Sequence, residues 1–189
     1  FQETVLRVRP EQWDQPGLGV WDIRDLVGHT HRALLTAEEY AAAPAQTVEV
    51  HTPADYYHRA LAAPDIDERV AERGREAGAG LGADPAITVQ ATVARAVPAV
   101  NSIPTNAIIA VPVGAMRLTD YLVTRVLELM VHSFDIANAT GQNARPPRDA
   151  LAATLHLLAD LAVDSGHGAE LALLATGRGT VADRFSVLG

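Results

Sequence analysis

The chain has 189 residues, 48% of them hydrophobic and 20% charged, enough for one packed domain and too apolar for a disordered chain. A formal charge of −8 argues against a nucleic-acid partner and against an anionic membrane surface, both of which need a basic face. With no cysteine there are no disulfides, thiolate ligands or cysteine nucleophiles, and with all 15 basic residues arginine there is no lysine for a Schiff base or a phosphate loop.

Aromatic residues make up only 5%, so Ala, Leu and Val must fill the interior, which favours closely packed helices. In chain order, residues 1–9 read as the end of a helix closed by Pro10, and since the chain opens on Phe1 that helix is expected to be truncated. Residues 15–19 are a loop on their breaker content. Asp22 is an N-cap for a helix running to about Ala43, where Pro44 stops it. On that helix Ile23, Leu26, Val27, Thr30, Leu34 and Ala37 form a buried stripe. Thr52 and Pro53 open a second long helix to about Ala77, ended by Gly78, Gly80 and Gly82. Asp84-Pro85 opens another, to about Val97. Residues 98–116 read as loop with short extended pieces because of Pro98, Pro104, Pro112 and Gly114.

Thr119 is then expected to cap the most apolar helix, Asp120 to Ala139, closed by Gly141. Pro146 and Pro147 open a last long helix to about Asp164, and a short helix over 170–175 leads into an irregular tail. The fold class is mainly α: a helical bundle over residues 1–145, with a helical extension over 146–189 packed on it. No apolar run approaches the roughly 18 residues of a membrane span, and no charged-then-apolar leader opens the chain, so the expected location is cytoplasmic.

The residues that could carry chemistry cluster on the apolar helix. Glu128 and His132 are four apart, hence neighbours at roughly 5–6 Å between Cβ atoms. Tyr121, Thr124, Arg125, Glu128, His132 and Asp135 share a sector roughly 100° wide. Such a sector can equally be a solvated face, and Asp25/His29, His51/Asp55 and His156/Asp160 show the same spacing, so spacing leaves both readings open. Two features favour a metal pair. The sector interrupts the most hydrophobic helix, and a third ligand is available in His29, about 60° from the centre of its helix's apolar stripe. His31, about 140° away, is expected to face solvent, as are His51 and His58, while His156 and His167 could line a site. Three His and carboxylate ligands leave a coordination position open, the pattern of a catalytic metal. Without sulfur, Zn²⁺ is favoured, with Ni²⁺, Fe²⁺ or Mn²⁺ as alternatives. Asp135 is placed either to accept a hydrogen bond from a ligand imidazole or to sit solvated at the helix end.

Trp21-Asp22-Ile23-Arg24-Asp25-Leu26-Val27-Gly28-His29, and the run from Thr124 through Arg125, Glu128 and His132 to Asp135 and Ile136, resemble the two motifs of the mycothiol-dependent maleylpyruvate isomerase family, in the DinB-like four-helix bundle superfamily. The resemblance covers roughly residues 12–141. It implies that His29, Glu128 and His132 are zinc ligands, with Arg125 and Asp135 beside them, and that the thiol mycothiol is a cosubstrate. The better-known members are actinobacterial, which suits the Ala, Arg, Gly and Pro bias. Full-length isomerases carry a larger C-terminal domain than is present here, and the tail 173–178 resembles that of shorter relatives, where Arg178 is a candidate anion-binding group, with His156 as a second substrate-binding candidate.

The expected function is therefore a metal-dependent thiol transferase or isomerase acting on a small electrophile. The alternatives are a metal-dependent hydrolase and a non-catalytic bundle that binds metal or a partner. A homodimer is an expectation of the bundle type alone.

Overall fold

The computed structural model describes residues 1–180 and 185–187. Its long helices are α2 (Ile23–Ala41), α4 (Ile66–Gly80), α5 (Pro85–Asn101), α6 (Leu118–Thr140) and α7 (Arg148–Asp164). Short helices are α1 (Gln2–Val5), α3 (Pro53–Ala60) and α8 (Gly168–Ala175). Two antiparallel hairpins interrupt them: β1 (Pro16–Leu18) with β2 (Trp21–Asp22), and β3 (Ile108–Val111) with β4 (Gly114–Arg117). The molecule is a helical bundle with added C-terminal helices.

Helix α2 is the central element, packed against α4, α5 and α6. The Asp22 carboxylate accepts from the Asp25 amide at 2.8 Å, satisfying one of the free donors at the helix start. The expected stripe is in place: Ile23, Leu26, Val27 and Thr30 are fully buried. Because α2 is surrounded on three sides, it buries more than one stripe. His31, expected in solvent, is only 5% exposed for that reason, and its Nε2 has no hydrogen-bond partner among the described residues.

The expected second long helix is two helices. Thr52 caps α3 as anticipated, its hydroxyl accepting from the Asp55 amide at 3.0 Å. The chain then breaks at residues 61–65, where Pro64 lacks a donor and biases the residue before it away from the helical region. Helix α4 runs past Gly78, the first of the three glycines expected to end it, and stops at Gly80. Gly78 is a buried helix-interior contact: a Cβ on Gly28 of α2 would fall on the Gly78 backbone, so the two helices cross backbone to backbone. Pro98 also fails to interrupt its helix, because it lies in the last turn of α5 where only one hydrogen bond is forfeited. Its carbonyl accepts from the Ser102 amide at 3.1 Å.

Thr119 is not a cap, since α6 starts one residue before it with Arg117 at the N-cap position and no side-chain cap bond. At the far end Gly141 has φ +71°, the left-handed conformation that closes a helix and that glycine adopts without strain. Helix α7 packs on α6 and α3, and α8 packs on α7. Leu157 and Leu161 of α7 share one apolar cluster with Leu127 of α6 and Ala54 and Tyr57 of α3. Burying each leucine contributes about 1.5–3 kcal/mol, and the cluster backs directly onto the helix that carries Glu128.

Candidate metal centre

The site forms where α2 and α6 face each other beneath α3 and α4. Glu128 and His132 project from one side of α6, one turn apart, and His29 meets them from α2. The Nε2 atoms of His29 and His132 lie 3.6 and 3.5 Å from the same oxygen, Oε2 of Glu128. All three ligand atoms fall within 4.8 Å of one another. These spacings are long for N–H···O hydrogen bonds. They match instead the edge of a tetrahedron around an ion bonded at about 2.1 Å, roughly 3.4 Å between ligand atoms. The donor set fits a divalent ion such as zinc.

Each of the three side chains is held from behind. The indole of Trp21 stacks on the His29 ring, 4.6 Å between centroids and 30° between planes. Trp21 is itself fixed by its Nε1 donating to the Ala71 carbonyl of α4 at 2.9 Å, and it fits because residue 74 is glycine. The His29 and His132 rings meet edge to face at 4.8 Å. Nδ1 of His132 lies 3.0 Å from Oδ2 of Asp135, which accepts a hydrogen bond from it and so turns Nε2 toward Glu128. The other Glu128 oxygen, Oε1, accepts from the Tyr57 hydroxyl at 2.6 Å. Arg125 lies 4.9 Å from the Tyr121 ring centroid and 5.5 Å from that of Tyr56, held between the two rings rather than bonded to the carboxylate.

Burial alone would raise the Glu128 carboxyl, but the two imidazoles and Arg125 hold it well below the usual range. Burial opposes a charge on His132 too, yet Asp135 and Glu128 lift its pKa to about 9. Burial wins at His29 and lowers its pKa, despite the Glu128 carboxylate beside it. Tyr57 is pushed well above an ordinary phenol by burial and by the Glu128 charge.

The site opens into a cavity of about 390 Å³. All four tyrosines of the chain border it, with five arginines: Arg32, Arg59, Arg69, Arg73 and Arg125. Among the described residues, Glu128 is the only carboxylate on the lining. Arg59 pairs with Asp55 and Arg69 loosely with Asp65, whereas among the described residues no carboxylate lies within ion-pair distance of Arg32 or Arg73. Burial and the charges of Arg32 and Arg69 lower the Arg73 pKa, a sign of cations gathered without a counter-charge.

The structure therefore brings together His29, Glu128, His132, Asp135 and Arg125. It places His156 and Arg178 elsewhere: both are exposed and neither borders the cavity. His51, His58 and His167 are exposed as well, with His58 3.2 Å from Asp164 and His167 3.4 Å from Glu170. Sequence reasoning missed Tyr57 and the arginine wall. The only signal for the wall was Arg69 and Arg73, four apart on one helix face.

A helical bundle that gathers two histidines and a glutamate around one point, beside a cationic cavity that His29 and Glu128 border, is the class that fold and site define. The model of the mycothiol maleylpyruvate isomerase N-terminal domain matches residues 1–137, and the chain belongs to that family. The match takes in α1 through nearly all of α6, including every residue of the cluster. Searches of curated proteins and of solved structures returned no match.

Proposed function

We propose that the protein is a divalent-metal enzyme, zinc being best suited, of the thiol-transferase or isomerase type, acting on a small anionic electrophile with mycothiol or a similar low-molecular-weight thiol. The observation that carries this reading is the approach of His29 Nε2 and His132 Nε2 to one oxygen of Glu128, at 3.6 and 3.5 Å, with His29 and Glu128 bordering a cavity. The family supports the thiol.

His29, Glu128 and His132 would hold the ion. When bound, a divalent ion there supplies Lewis acidity, lowering the pKa of a thiol or water it contacts. The chain's own residues do the rest. Asp135 keeps the His132 proton on Nδ1, so that Nε2 presents a lone pair. Trp21 fixes the plane of the His29 ring. Arg32 and Arg73, unpaired with any carboxylate among the described residues, bind and orient the anionic end of the electrophile, since a guanidinium fork matches a carboxylate in shape and charge. The tyrosine rings of the lining limit how much water shares the cavity with the reactants.

The test is turnover of activated-alkene carboxylates by the zinc-loaded protein, with and without added mycothiol. Turnover that requires both zinc and thiol supports the reading. Cleavage of ester or amide substrates with zinc but no thiol would replace it with a hydrolase, and zinc binding with no turnover of any electrophile would leave a non-catalytic metal-binding bundle.

A further inference from the structure

We propose that Tyr57 is a positioning residue that occupies Oε1 of Glu128, so that this carboxylate reaches the ion through Oε2 alone and a coordination position stays open for an outside ligand. This deepens the metal reading above and rests on it.

The two oxygens of Glu128 face different partners. Oε2 is the atom that both imidazole Nε2 groups approach, at 3.5 and 3.6 Å. Oε1 accepts a 2.6 Å hydrogen bond from the Tyr57 hydroxyl. A short bond from a fixed donor holds the carboxylate in one rotation and takes a lone pair of Oε1, which disfavours chelation through both oxygens. The difference matters because two imidazoles and one carboxylate oxygen make three protein donors, leaving a fourth tetrahedral position free, whereas a chelating carboxylate fills it.

Tyr57 is built to hold that place. Its side chain is 5% exposed, packed with Leu127 of α6 and Leu157 and Leu161 of α7. Its hydroxyl also lies 3.3 Å from the Thr124 carbonyl, one turn before Glu128, so it is referenced to the α6 backbone as well as to the carboxylate. The neighbouring Tyr56 ring stands edge-on to it, 5.7 Å between centroids, and turns toward Arg125. The C-terminal helix α7 thereby serves the site, because its leucines press Tyr57 onto the glutamate from behind. A phenol that merely filled an apolar gap would need no such alignment with one carboxylate oxygen.

The test replaces the ion with cobalt(II), whose visible absorption is strong when four-coordinate and several-fold weaker when five- or six-coordinate. Tyr57→Phe keeps the ring and its packing and removes only the donor. The expected result is one cobalt per chain in both proteins, a several-fold fall in visible absorption in the variant, and metal binding weakened by about 10-fold or more. A variant whose cobalt spectrum and affinity match the unmodified protein overturns the proposal while leaving the metal site standing. A second measurement needs no variant: the infrared difference spectrum of the unmodified protein with and without zinc. A wide splitting of the carboxylate stretches, the signature of binding through one oxygen, is expected, and a narrow chelate splitting overturns the proposal even if Tyr57→Phe fails to fold. Unmodified protein that takes up no metal overturns both this proposal and the reading beneath it.

Discussion

The two walls of the cavity are built differently. The floor, where His29 and Glu128 border the cavity and His132 joins them in one cluster, sits on α2 and α6, two long helices that face each other in the bundle core. Each floor side chain has a partner fixing its angle: Trp21 for His29, Tyr57 for Glu128 and Asp135 for His132. The opposite wall, with Arg59, Arg69 and Arg73, stands on α3 and α4 around the break at residues 61–65. Its arginines are held by surface ion pairs or by none. Floor residues each have a partner that fixes their orientation, as a metal site needs, while the wall offers charge on flexible stems, suited to ligands of varied length.

The walls meet where Gly28 of α2 touches Gly78 of α4. A side chain there should do the most damage. Gly28→Val forces the helices apart beside His29, and the expected loss is about 3 kcal/mol of stability, measured by denaturant unfolding, together with impaired metal uptake. The remaining changes separate floor from wall. Arg73→Ala should leave metal content untouched while raising KM for an anionic electrophile about 10-fold to 100-fold, the loss of one charged hydrogen-bonding partner. An unchanged KM would remove Arg73 from substrate binding. Asp135→Asn should act on the floor instead, weakening zinc binding by about 10-fold and moving the His132 pKa down from about 9, as read by NMR of the metal-free protein.

The smallest effect is one of pH. Because His132 in the metal-free protein keeps its proton up to about 9, zinc uptake at neutral pH must expel that proton. Affinity should therefore rise with pH up to about 9, with proton release visible by calorimetry in buffers of different ionisation heat. The sign is opposite for the stability of the metal-free protein. A raised folded-state pKa stabilises fully below the unfolded value near 6.5, and that contribution disappears as pH climbs through about 9.

The floor was far more legible in the sequence than the wall. The Asp22 cap, the α2 stripe, and the four-residue spacing of Glu128 and His132 are local signals, and helical periodicity turns them directly into geometry. The metal assignment nonetheless needed the family motifs, since Asp25/His29 and His156/Asp160 share the spacing without forming such a cluster. What was not legible depends on contacts between distant segments. Gly78 reads as a breaker until α2 lies against it, and His31 reads as exposed until α4, α5 and α6 surround its helix. Pro64 is a local signal, but a weak one inside an otherwise helical pattern. It bears most on function, because the break it marks brings Tyr57 on one side and Arg69 and Arg73 on the other into the same cavity.

The metal centre itself is tested most directly by the metal content of the purified protein and of His132→Ala, by mass spectrometry after dialysis against a weak chelator. About one zinc per chain is expected in the unmodified protein, with near-complete loss in the variant. Equal metal content in the two proteins, or none in either, would contradict a centre built from His29, Glu128 and His132.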